Sequence, residues 1–159
     1  MKVTKDLTEL LRRIRLDHEE IVERFRFLDW SAEDAERLGS AAQQMAPAQQ
    51  AFIDHLYRHL AKFPTPSALL RVPEVTARLK HSQAEYYQRL WGGPYDDAYV
   101  NGRLRIGVIH QQVGLELKWY LGSYRLYLDD MLASVFDNSD QATLYSSLLK
   151  AVFFDMTLA

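Results

Sequence analysis

The 159-residue chain contains no cysteine. That absence excludes a disulfide framework, a thiolate metal site and a cysteine nucleophile, and it fits a reducing compartment. Glycine and proline are scarce, at 7 and 5 residues. Together they are about 7.5% of the chain against an average of roughly 12%, so long elements with few turns are expected. No apolar run reaches the roughly 18 residues of a membrane span, and the N-terminal stretch MKVTKDLTELLRRIRLDHEE lacks a signal-peptide apolar core. The chain reads as neither secreted nor spanning, with the cytoplasm as its expected location. A surplus of charge is also missing. A formal net charge of -2 gives no footprint for nucleic acid or an anionic membrane, both of which require clustered Lys and Arg. Nor is there a GxSxG elbow, a P-loop, a GxGxxG turn or an EF-hand loop.

What is present is ordinary globular material: 48% hydrophobic and 25% charged residues. The length suits one domain, burying roughly 70% of the surface that the unfolded chain exposes. Apolar periodicity predicts a first helix over 5–29, broken near Leu16, and a second over 32–45 started by Ser31, Glu33 and Asp34. Pro47 opens a third over 48–62, which stops before the Pro64 and Pro66 pair; 63–72 is expected to be irregular. Pro73 starts a helix over about 73–91, ended by Gly92, Gly93 and Pro94. Further helices are expected over 99–113 with a stop at Gly114, over 115–137, and from Gln141 to the end after a turn at 137–140. The expectation is an all-α chain of seven or eight helices. The last two are apolar on more than one side, from Leu115 to Leu132 and from Leu144 to Leu158, as helices with two neighbours are. Some of that surface is expected to meet a second chain. The uncapped final segment DMTLA suggests a piece of a longer protein, cut before a further domain.

Histidines, carboxylates and tyrosines are the reactive groups left. At 100° per residue, His110 falls within about 60° of Ile106, Val113 and Leu117, on an apolar face. His55 and His59 form an i, i+4 pair, but DHLYRHL lacks the Glu of HExxH. Both are expected to face solvent, as are His18 and His81. The Asp96–Asp97 and Asp129–Asp130 pairs diverge by about 100° on a helix and read as solvated or capping carboxylates. Arg103 and Arg105 can bind a carboxylate, although exposed helix arginines are commoner. A matched cavity facing His110 would make it a ligand, and two helices could wall one: one aligns Leu79, Tyr86 and Leu90 with Ser82 and Gln83 at the edges, the other Ile53, Tyr57 and Leu60. Two such walls suit a flat apolar cofactor, yet a lone apolar-face histidine is more often a packed core residue. Tyr57 alone is more often a packed tyrosine bonded to a carbonyl, and Ser82 a surface serine.

The run LKHSQAEYYQRLWGGPYDDAYVNGRLRIGVIHQQVGLELKWYLGSY resembles the heme-binding core of the globin-coupled sensor family, relatives of the protoglobins. Its parts are Leu79-Lys80, Gln83, Tyr86-Tyr87, Gly93, Tyr95-Asp96, Tyr99, the segment Ile106-Gly107-x-x-His110, Gly114-Leu115 and Trp119-Tyr120. Upstream, AFIDHLYRHLAKFP and DWSAEDAERL resemble the distal-side helix and the segment before it. The likeness covers about residues 20–159, and the ordered set is far more specific than any one element.

The resemblance implies a globin-like fold with a heme b pocket between distal and proximal helices, and a homodimer formed by the last two long helices. It places the proximal iron ligand at His110, the distal hydrogen-bonding tyrosine at Tyr57, and further distal positions at Leu79 and Ser82. Leu56, Tyr86, Ile106, Val113, Trp119 and Tyr120 fall at heme-contact positions, and Lys80 and Arg103 are the cations offered to the propionates. Leu56 departs from the family, which usually has Phe before the tyrosine. The implied function is that of a non-enzymatic sensor domain for dioxygen, with carbon monoxide and nitric oxide as alternative ligands. Its output domain, a diguanylate cyclase before a histidine kinase or chemotaxis transducer, lies outside the chain. Two rivals stay open: a heme globin that acts alone on gases, and a heme-free helical dimerisation module in which His110 is merely packed.

Overall fold

A computed structural model describes residues 16–135 and 141–158. Among them are eight α-helices, one 3-10 turn and no strand. They are α1 (His18–Phe27), α2 (Ala32–Met45), the 3-10 turn Ala46–Ala48, α3 (Gln49–Leu60), α4 (Pro64–Leu69), α5 (Pro73–Gly92), α6 (Asp97–Gln112), α7 (Leu117–Val135) and α8 (Gln141–Thr157). No helix is long and apolar enough to cross a membrane, among the described residues.

Local chemistry explains most of the boundaries. Asp17 caps α1 by accepting from the Glu20 amide at 3.0 Å, and Asp96 caps α6 by accepting from the Tyr99 amide at 2.9 Å. At the start of α2 the Asp34 carboxylate reaches back to the Ser31 amide at 2.8 Å. The expected first helix over 5–29, broken near Leu16, is realised from His18 after the non-helical Leu16 and Asp17; residues 5–15 lie outside the described ones, as does the expected turn at 137–140.

Residues 63–72 are not wholly irregular. Pro64 occupies the first position of α4, with Phe63 extended before it at φ -114 and ψ 132. A proline within the first turn gives up no amide that the helix would have bonded, so Pro64 and Pro66 start a helix rather than prevent one. The third helix is also shorter than expected, because the 3-10 turn at Ala46–Ala48 takes its first residue and Ala61 closes it.

The main core lies where α2, α3, α5, α7 and α8 meet. Leu38 and Met45 of α2, Ile53 of α3, Leu90 and Trp91 of α5, Met131 of α7 and Leu148 and Val152 of α8 are all but sealed from solvent. A second cluster joins Leu16, Tyr99, Val100 and Leu104 to Phe154 and Leu158. Helix α8 therefore touches both clusters, which is why its sequence is apolar on more than one side. Among the described residues of α7 and α8, Leu117 is 58%, Phe153 50% and Leu121 36% exposed.

Candidate functional site

Helix α6 ends in a way that fixes its last turn. Gly114 sits at φ 70, its amide bonds the Gln111 carbonyl at 3.1 Å, and the Leu115 amide bonds the His110 carbonyl at 2.8 Å. These two bonds form a Schellman cap whose left-handed residue is the glycine expected there as a stop. The cap pins the backbone of His110 itself.

The His110 side chain is half-buried. Its ring meets that of Tyr120 edge-on, with centroids 5.3 Å apart. Among the described residues neither ring nitrogen has a hydrogen-bond partner, and burial lowers the pKa of the imidazole below its ordinary value. It is therefore uncharged at neutral pH, with a free lone pair.

Tyr57 of α3 packs half-buried against the main core. Burial pushes its hydroxyl pKa up to about 12, so it stays a donor at neutral pH. No described residue bonds that hydroxyl. The Lys80 ammonium stands 5.6 Å from its ring and pairs with Asp54 at 2.7 Å.

The other predicted positions are distributed unevenly. Leu79 and Ile106 are half-buried, Leu56 is sealed in the core, and Ser82 and Val113 lie on exposed helix faces. The Trp119 ring lies 5.2 Å from Phe63. Tyr86 is buried and donates its hydroxyl proton to Asp155 at 2.8 Å. His55 and His59 do not simply face solvent. His55 Nδ1 lies 2.8 Å from Asp130 Oδ2, and the His59 ring lies 5.2 Å from Phe63; both are half-buried.

Arg103 needs a correction, since a propionate partner must reach outward. It is 4% exposed and lies 3.0 Å from Asp155 Oδ2, with its guanidinium 3.5 Å over the Tyr86 ring. The sequence reading allowed Arg103 a carboxylate, and the carboxylate proves to be this chain's own, brought by α8.

Sequence reasoning missed the cluster around that pair. Tyr99 donates to Asp155 Oδ1 at 2.7 Å, Tyr86 bonds Tyr124, and Tyr124 bonds Tyr120 at 2.8 Å. One signal was available: Asp155 is a lone carboxylate in the apolar segment VFFDM, and a charge on a buried face must be paired.

A family model, Protoglobin, matches residues 17–159. The chain belongs to the protoglobin family. In this protoglobin, His110, Tyr57, Trp119 and Tyr120 all lie within the matched span. The chain is 32% identical over 130 residues to the heme-based aerotactic transducer HemAT of Halobacterium salinarum, covering 81% of this chain and 27% of that protein. It thus spans about a quarter of that relative's length. The globin domain of the Geobacter sulfurreducens globin-coupled sensor superposes with a TM-score of 0.80 at 22% identity, covering 86% of this chain and 92% of that one. The expected globin fold is therefore the observed one.

The residues present fit an iron porphyrin. One imidazole suffices as protein ligand only where the group brings its other metal ligands with it, and His110 offers an uncharged ring with no competing hydrogen bond. Leu79 and Ile106 would offer it apolar surface, Tyr57 a hydroxyl that no described residue bonds, and Lys80 a cation 5.6 Å from the Tyr57 ring.

Proposed function

We propose that this protoglobin domain is a cytoplasmic dioxygen sensor. His110 ligates the iron of heme b, Tyr57 and Leu79 line the gas side, and the bound state passes through α7 and α8 of a homodimer to an output domain, most simply a diguanylate cyclase. The observation that carries the reading is the His110 imidazole, uncharged and with no hydrogen-bond partner among the described residues, on a backbone fixed by the Schellman cap. The name of the HemAT relative supports heme and gas sensing as the shared chemistry.

Bound heme supplies an iron with one open coordination position for a diatomic gas. His110 donates its lone pair from the proximal side, which its lowered pKa makes available at neutral pH. Tyr57 donates a hydrogen bond to a polarised ligand, and its own pKa of about 12 keeps that proton in place. Such a charge-assisted bond contributes roughly 1.5–3 kcal/mol. Dioxygen, which draws more negative charge than carbon monoxide, gains more from it. Leu79 narrows the approach of water. A ligand shifts an equilibrium only by its differential affinity for two states, so relay requires that the packing beside His110 differ between them. The exposed Leu117, Leu121 and Phe153 are the apolar residues on α7 and α8 offered to a second copy.

The test is the ultraviolet–visible spectrum of the purified protein, reduced and then exposed to dioxygen, beside His110→Ala. A Soret band that moves on oxygenation and is lost or strongly altered in the variant is expected. No Soret band after addition of heme overturns the proposal and leaves a helical interaction module, whereas steady-state turnover of a gas favours a globin acting alone.

A further inference from the structure

A phenol has one proton to donate. Tyr86 donates its own to Asp155 Oδ2, so in its bond with Tyr124 the donor must be Tyr124. That leaves Tyr124 only able to accept from Tyr120, 2.8 Å away. The order Tyr120 to Tyr124 to Tyr86 to Asp155 is thus set from the carboxylate end. It crosses from α7 through α5 to α8, and it begins at the ring that meets His110.

The direction holds only while Asp155 is ionised. Burial raises its carboxyl pKa above the ordinary value, and the Arg103 guanidinium and the Tyr99 and Tyr86 hydroxyls offset only part of that rise. An arginine keeps its proton inside proteins, and here it lies 3.0 Å from Oδ2, so Asp155 remains the acceptor. Tyr99 accepts from Arg103 at 3.0 Å while donating to Oδ1. Arg103 Nε stands beside Oδ2 as an ion-pair contact and has no hydrogen-bond partner among the described residues. A buried ion pair is a poor source of stability compared with apolar residues of the same volume, and its best-attested use is to fix one arrangement among several.

We infer that Asp155, paired with Arg103, is a positioning residue that orients the tyrosine chain Tyr120, Tyr124 and Tyr86 and so couples the pocket wall beside His110 to the last helix. The inference rests on the sensing reading and deepens it by naming the internal route from the site to α8. Tyr99 supplies the control, because it bonds the same carboxylate but lies off the route to His110.

The experiment compares Tyr124→Phe, Tyr86→Phe and Tyr99→Phe with wild type in the heme-loaded chain. Pulsed hydrogen exchange of the 141–158 amides is measured ligand-free and oxygenated. Wild type and Tyr99→Phe are expected to show a difference between the two states. In Tyr124→Phe and Tyr86→Phe that difference falls about fivefold, the worth of one hydrogen bond. If all three variants behave alike, or if wild type shows no difference while its Soret band reports bound gas, the coupling is refuted. If no Soret band forms, the sensing reading fails, and the chain of tyrosines is judged in the heme-free protein by the 15N shifts of the His110 ring. Movement in Tyr124→Phe and Tyr86→Phe but not in Tyr99→Phe sustains the route; equal movement in all three, or none, refutes it.

Discussion

Asp34 ties α2 to α8 through Ser147 and Lys150. Its side chain is 3% exposed and lies 2.9 Å from Lys150 Nζ, with Ser147 donating at 2.7 Å and Arg37 at 3.0 Å. Burial alone would raise its pKa, but the Ser147, Lys150 and Ser31 hydrogen bonds prevail and lower it from 3.8 to about 2. A shift of nearly two units corresponds to about 2 kcal/mol. The folded pKa is the depressed one, so this stability is fully present above the unfolded value near 4 and is lost as pH falls through 2; about half is gone at pH 3. Asp34→Asn should therefore cost about 2 kcal/mol at pH 7, lowering the melting temperature by roughly 4–8 °C for a domain of this size. Urea midpoints at pH 7, 4 and 3 provide the check. The wild-type acid limb should be steeper than the variant's by about 1 kcal/mol between pH 7 and pH 3. Parallel acid limbs would refute the assignment of that stability to the Asp34 carboxylate.

Tyr57→Phe removes a hydroxyl that no described residue bonds, so its melting temperature should stay near wild type. Dioxygen should dissociate roughly ten- to a hundredfold faster in stopped flow, with carbon monoxide affected much less. Equal effects on both gases would count against a hydrogen bond from Tyr57. Gly114→Ala puts a Cβ at φ 70, where nothing crowds it but the backbone is strained. A loss of about 1–2 kcal/mol in urea unfolding is expected. Because the same cap pins His110, the variant should also perturb the reduced Soret band; an unchanged band would mean that the cap does not govern the histidine.

Helix existence was legible wherever the apolar period and the capping residues agreed. Ser31 with Asp34 marked α2 to the residue, and Pro73 with Gly92 and Gly93 marked α5 nearly so. The short α4 was missed because two prolines read as breakers, although their place in the first turn makes them starters. His110 was singled out by its face on the helical wheel, and Tyr57 became prominent only through the family resemblance. Burial of His55 against Asp130 could not be foreseen, since the two lie 75 positions apart and each alone looks like a solvated group.

Arg103 shows most clearly where residue-by-residue reading stops. On its own helix it stands among Tyr99, Gly102 and Ile106, and no local feature says whether it points outward to a ligand or inward to a partner. The deciding residue is Asp155, on the last helix, and Asp155 is itself anomalous: a carboxylate between Phe154 and Met156. Two charges that are each improbable in an apolar setting explain one another when they are opposite in sign, because the cost of burying either is offset only by the other. Once the structure shows both to be buried, the two anomalies account for each other and join α6 to α8. Tyr86 and Tyr99 are placed by the same requirement, since a buried carboxylate leaves lone pairs that only nearby donors can satisfy. The ion pair thus draws the Tyr86 and Tyr99 hydroxyls inward, and through Tyr86 and Tyr124 it is linked to Tyr120, whose ring meets His110 edge-on.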